Sequence, residues 1–146
     1  MNAFAAIDAL ETSLKPVLDP RVYVEPKDRG AASENARQWE WVSHMHQNAR
    51  RVLVFAVPNG TNIASIAGRA KVKREGLYTG FPDTGAAWTG CTAFLEWKDA
   101  KGMPSDAQIE CLNRLVSMDH PCGVFRTVEA AVNWLHAIGA PVGRMR

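Results

Sequence analysis

Two carboxylates and an amine are spaced so that a single hairpin would bring them together. Asp83 ends the run Gly80-Phe81-Pro82-Asp83, and Glu96 and Lys98 flank the indole of Glu96-Trp97-Lys98. Between them, TGAAW and CTAFLEW are separated by Thr89-Gly90, the pattern of a β-hairpin over about 84–97. With the turn at Thr89-Gly90, Trp88 faces Cys91 and Asp83 faces Glu96. Directly opposed residues hold their Cβ atoms roughly 4.5–5.5 Å apart, a separation at which two unpaired carboxylates repel. A divalent cation removes that repulsion. Hard ions such as Mg²⁺ are held by one or two carboxylates, with waters and phosphate oxygens filling the rest of the shell. Lys98 lies two residues from Glu96 and shares its face of the strand, while Trp97 points to the other side. An ammonium there could orient an attacking water or stabilise charge developing on a phosphate.

Other readings stay open at this level. A three-residue turn would shift the pairing by one position. Taken singly, Asp83 also fits a turn cap after Pro82, and Glu96 and Lys98 fit exposed charges at a strand end.

The surrounding elements decide whether these groups are positioned or merely present. Phe4, Ile7, Leu10 and Leu14 have helical spacing over 2–14, and Pro16, Pro20 and Pro26 then make 15–32 an extended connector around a brief RVYV strand. The main domain is expected to begin near Ser33, dividing the chain into 1–32 and 33–146. Ser33 caps a predicted helix from Glu34 to about Ala49, with Trp41, Val42, Met45 and Ala49 on its apolar stripe. VLVFAV at 52–57 reads as a buried strand stopped by Pro58-Asn59-Gly60. A helix from about Asn62 to Glu75 turns Ile63, Ile66, Ala67 and Ala70 inward and ends at Gly76. After the hairpin come a capped helix from Ser105 to about Met118, a short strand at 122–125, and a last helix between Thr127 and Gly139. This order predicts an α/β fold, a mixed β-sheet flanked by α-helices.

Composition narrows the function classes. The 146 residues, 47% hydrophobic and 22% charged, suit one compact domain, and no run approaches the ~18 apolar residues of a membrane span. No secretory leader is visible, so a cytoplasmic setting and no membrane partner are expected. Cys91, Cys111 and Cys122 form no CxxC pair and suggest neither a disulfide framework nor zinc. The net charge of +2 is compatible with a polyanionic partner without demanding one. His44 and His46, two apart on a helix, diverge and make a poor metal pair.

Several signals, in order along about 34–135, resemble the VRR-NUC (virus-type replication-repair nuclease) group of the PD-(D/E)xK nucleases. Glu34 and Gln38 open a helix, Pro58-Asn59-Gly60 follows the first core strand, Gly80-Phe81-Pro82-Asp83 looks like the family's GxPD, Glu96-Trp97-Lys98 like its ExK, and Gln108 like its downstream glutamine. The resemblance implies a restriction-endonuclease-like fold that hydrolyses DNA phosphodiester bonds with Mg²⁺ or Mn²⁺. It implies that Asp83, Glu96 and the Trp97 backbone carbonyl ligate the metal, that Lys98 assists the water, that Glu34 reaches the site directly or through a water, and that Gln108 positions Lys98 or the water. Small stand-alone members, mostly carried by phages and prophages, look like homodimers acting on branched DNA such as four-way junctions. The corresponding setting is the cytoplasm of a bacterium or a phage-infected host cell. The sequence departs from the family at Thr84, where an apolar residue is usual, and residues 1–30 match nothing in it.

Plainer roles compete for several of these residues. Ser105-Asp106-Ala107-Gln108 is a capping box in which the glutamine returns to its own helix start. Glu34 in a first helical turn is favoured by the helix dipole. Arg69, Lys71, Lys73 and Arg74 could track a DNA backbone with Asn59, or simply suit a helix C-terminus. The functional alternative is a catalytically silent DNA-binding or assembly module of the same fold, and RNA is the alternative substrate.

Overall fold

The computed structural model describes residues 14–58 and 65–146. The expected helix over 2–14 and the turn residue Asn59 therefore lie outside the described residues, Leu14 apart. Along the chain run β1 (Tyr23–Val24), α1 (Glu34–Asn48), β2 (Leu53–Ala56), α2 (Ile66–Arg74), β3 (Thr84–Trp88), β4 (Cys91–Trp97), α3 (Asp106–Ser117), β5 (Cys122–Phe125) and α4 (Val128–Ala137). The strands form one five-stranded mixed sheet in the order β1-β5-β4-β3-β2. The β2–β3 and β3–β4 pairs are antiparallel, and β4–β5 and β5–β1 are parallel. The fold is α/β, and no helix among the described residues is long and apolar enough to cross a membrane.

Side chains alternate across β4 and so feed two cores. Ala93, Leu95 and Trp97 pack on one face with Trp41 and Met45 of α1 and Ala131, Val132 and Leu135 of α4. Phe94 turns to the opposite face, where Cys111, Leu112, Leu115 and Val116 of α3 cover Val124 and Cys122. Glu96 shares the Phe94 face. The helices begin where hydroxyl side chains can satisfy otherwise orphaned amides: Ser33, Ser65, Ser105 and Thr127 each accept from a first-turn backbone N–H.

Two expectations need correction. Among the described residues β2 is an edge strand, paired only with β3, and Leu53 is 69% exposed. An apolar run signals a strand but does not count its neighbours. On α2, Ile66, Ala67 and Ala70 are exposed and no residue is fully buried. Its alanines offer little apolar area to drive a helix onto the sheet.

The connector carries the brief strand expected within RVYV: β1 pairs in parallel with β5 and so joins the sheet. Beyond the β1–β5 pairing, the buried Glu25 carboxylate accepts from the Thr127 N–H at 2.9 Å, the Thr127 hydroxyl at 2.6 Å and the Arg126 N–H. Buried Arg37 grips Asp28 through two bonds of 2.6 and 3.0 Å and donates to the Arg126 carbonyl at 2.6 Å. The Arg37 guanidinium, with help from the Gly30 N–H, holds the Asp28 carboxyl down at about 2.

Candidate active site

The hairpin pairs in the register read from its turn. Trp88 opposes Cys91, Thr84 opposes Leu95, and Gly90 takes the positive φ of 83° that the turn requires. One step beyond the last pair, Asp83 meets the Glu96 end of β4. Its carbonyl accepts from Val57 N–H at 2.8 Å, and its Oδ2 accepts from Trp97 N–H at 2.9 Å. Asp83 is thus tied by main chain to Val57, just past β2, and by side chain to the peptide that joins Glu96 to Trp97.

Glu96 and Lys98 are 1% and 7% exposed, which excludes a reading as solvated strand-end charges. Glu96 Oε1 accepts from Lys98 Nζ at 2.9 Å and from Gln108 Nε2 at 2.6 Å. Its other oxygen, Oε2, is buried with no hydrogen-bond partner among the described residues. Burial, followed by the charge of Asp83, pushes the Glu96 carboxyl up to about 7 against the pull of Lys98. Burial by itself would push the Lys98 ammonium down, but Glu96, Glu34 and Asp83 outweigh it and the net shift is upward. Glu34 Oε1 lies 3.5 Å from Lys98 Nζ.

Gln108 performs two roles at once. Its Oε1 accepts from Ser105 N–H at 2.8 Å while its Nε2 holds Glu96. The backbone donor fixes which end of the amide faces the cap, so the capping box aims the amide nitrogen at the carboxylate. The side chain thus holds Glu96 directly, and Glu96 in turn holds Lys98, one of the two groups, Lys98 or the water, that the resemblance implied it would position. Gly80 sets the distance between this helix and Asp83: with φ at 80°, it presses against the first turn of α3 so closely that a Cβ would meet the Ala107 backbone at 2.5 Å.

Asp83, Glu96, Lys98, Glu34 and Gln108 all line one open cleft of about 600 Å³. Arg69 and Lys73, one turn apart on α2, line it as well, with Gln38 of α1. Lys71 instead lies 3.8 Å from Glu75, and neither it nor Arg74 is part of the cleft lining. The basic cluster is thereby split, with two cations lining the cleft that holds the carboxylates. Asn59 lies outside the described residues.

The donor chemistry fits a hard divalent cation. Among the described residues no three His, Cys, Asp or Glu side chains gather as a ligand set. What the site offers is Asp83 and the unpartnered Glu96 oxygen, the sparse protein share with which Mg²⁺ completes its shell from water and phosphate.

Sequence reasoning missed two residues. Thr84 is fully buried, donating to the Leu95 carbonyl and accepting from the Trp97 indole N–H, both at 3.1 Å. The polar residue at this usually apolar position is explained by the indole it satisfies. Tyr78, also on the cleft, was signalled only by being an aromatic just ahead of the Gly80 turn.

No known family, curated protein or solved structure matches this chain in sequence or fold comparison.

Proposed function

We propose that this protein is a Mg²⁺- or Mn²⁺-dependent endonuclease that hydrolyses DNA phosphodiester bonds. The observation that carries the reading is Glu96: a buried carboxylate with one oxygen held by Lys98 and Gln108, the other unpartnered, and Asp83 beside it. Left without a cation, that arrangement costs stability, because the Glu96 carboxylate is buried and lies beside a second carboxylate, Asp83. With a divalent ion bound, the site gains a Lewis acid that polarises a phosphoryl oxygen.

The chain's own groups have distinct tasks. Asp83 and Glu96, with the Trp97 carbonyl, supply the anionic cradle. Lys98, held between Glu96 and Glu34, directs N–H donors at an attacking water or at charge developing on the phosphate. Glu34 reaches the site from α1 through Lys98 or through a water. Arg69 and Lys73 neutralise the backbone of an entering strand. The finer expectations belong to the same reading: a restriction-endonuclease-like version of the α/β fold, a VRR-NUC-like domain, and a homodimer acting on branched DNA such as four-way junctions in a bacterial or phage-infected cytoplasm.

Cleavage of labelled single-stranded, duplex, flap and four-way-junction DNA, with RNA alongside, in Mg²⁺, Mn²⁺ or EDTA tests it. Metal-dependent cutting is expected, with Asp83→Ala and Lys98→Ala each lowering the rate by at least about 100-fold in a folded protein. Retained DNA binding with no cutting on any substrate would instead identify a catalytically silent binding module.

A further inference from the structure

Tyr78 lines the cleft that holds Asp83, Glu96 and Lys98, yet none of the chemistry above uses it. The side chain is 44% exposed. It is not loose: its ring packs against Phe81 at 6.5 Å and an interplanar angle of 75°, and Phe81 in turn packs on Phe94 at 5.3 Å, above the apolar face of α3. The backbone enforces this contact. Phe81 N–H donates to the Tyr78 carbonyl at 3.2 Å across a turn whose third residue is Gly80, with φ at 80°. The first and fourth residues of such a turn lie within about 7 Å. The glycine pressed against α3 therefore fixes Tyr78 as well as Asp83.

A partly exposed aromatic ring whose edge contact with a neighbour already restricts it loses little freedom when something stacks on it. Arg69 and Lys73 line the same cleft and favour a polyanionic strand. Bases inside a continuous duplex have both faces covered by their neighbours, whereas an unpaired base has a π-face to offer. Every base can stack on an aromatic side chain, at about 1–3 kcal/mol each.

We propose that Tyr78 is a stacking platform for an unpaired nucleobase next to the scissile phosphate, so that the cleft selects strands with unpaired nucleotides over continuous duplex. This rests on the nuclease reading and names the substrate class for the same site.

The test is binding of the full chain to a flap DNA and to a continuous duplex of equal length, in EDTA so that nothing is cut. A 2-aminopurine at the first unpaired position reports stacking. Wild type is expected to prefer the flap and quench the probe. Tyr78→Phe keeps both properties. Tyr78→Ala and Tyr78→Leu each weaken flap binding about tenfold, change duplex binding by less than about twofold, and lose the quenching. Tyr78→Leu retains apolar bulk against Phe81 and guards against a simple folding defect. Trp39, exposed on α1 but outside the cleft lining, supplies the control: Trp39→Ala preserves the preference. Equal loss on both DNAs, a leucine variant that still prefers the flap and quenches, or a wild type without preference would each overturn the proposal. Metal-dependent cleavage without any Tyr78 effect removes the stacking site and leaves the nuclease. A Tyr78-dependent preference without cleavage does the reverse.

Discussion

The Gln108 amide nitrogen donates to Glu96 Oε1 at 2.6 Å while the oxygen of the same amide caps its own helix at Ser105. Helix start and buried carboxylate are thus held by one side chain. Gln108→Ala is expected to lose the cap, at about 1 kcal/mol, together with part of the activity. Gln108→Glu keeps an acceptor for Ser105 N–H but turns an acceptor and a negative charge towards Glu96. Its cleavage rate should fall further than that of the alanine variant despite the retained cap. Single-turnover rates and melting curves separate the two effects, and a fully active glutamate variant would show that the donor is dispensable.

Glu96 should make the metal-free protein less stable than it could be. Its folded pKa of about 7 stands above the ordinary 4.5, so its contribution to stability is full below about pH 4.5 and is lost as pH rises through about 7. In EDTA near pH 8, Glu96→Gln should be more stable than wild type by on the order of 2 kcal/mol, because the amide buries no charge and does not repel Asp83 while keeping an acceptor for Lys98 and Gln108. Below about pH 4.5 the difference should close. Added Mg²⁺ should raise the melting temperature of wild type and not of the variant. A wild type that is the more stable of the two in EDTA near pH 8 would contradict this account.

The divided basic cluster predicts unequal salt effects. Arg69→Ala and Lys73→Ala should each weaken DNA binding and reduce the slope of log affinity against log salt by about 1. Lys71 already faces Glu75 at 3.8 Å, so Lys71→Ala should leave the slope near its wild-type value. Titrations at several salt concentrations distinguish the three, and identical slopes throughout would dissociate α2 from the DNA path.

Acid unfolding probes the connector. Arg37 holds Asp28 at about 2, against an ordinary 3.8. The stability this pair contributes is present above about pH 3.8 and is lost as pH falls through about 2. Asp28→Asn should be less stable than wild type at neutral pH, with the gap closing in strong acid. Circular dichroism against pH reads this directly, and a constant gap down to the lowest pH would assign the loss to something other than the ion pair.

Much of the candidate site was legible because its geometry is local. A two-residue turn at Thr89-Gly90 fixes which residue faces which, so the meeting of Asp83 with Glu96 could be read from spacing. Caps at Ser33, Ser105 and Thr127 were legible for the same reason. The remainder depends on contacts between distant segments. The β2 sequence reads identically at an edge and in the middle of a sheet. Glu25 and Arg126, about a hundred residues apart, become partners only once β1 lies beside β5, so the RVYV run signalled a strand but not which strand it would pair with. For Gln108, capping and site roles looked like rivals. Only the placement of α3 against β4 shows that they belong to opposite ends of one amide.

The Thr84 hydroxyl, interposed between the Leu95 carbonyl and the Trp97 indole, makes positions 84 and 97 a covarying pair. Valine at 84 would preserve shape but leave the indole proton buried with no acceptor, a penalty of roughly 1–3 kcal/mol. Phenylalanine at 97 would release position 84 to become apolar. In any lineage carrying this hairpin, the two changes are expected to travel together, since either one alone leaves a defect in the core: an indole proton without an acceptor, or a cavity beside Trp41 and Phe125.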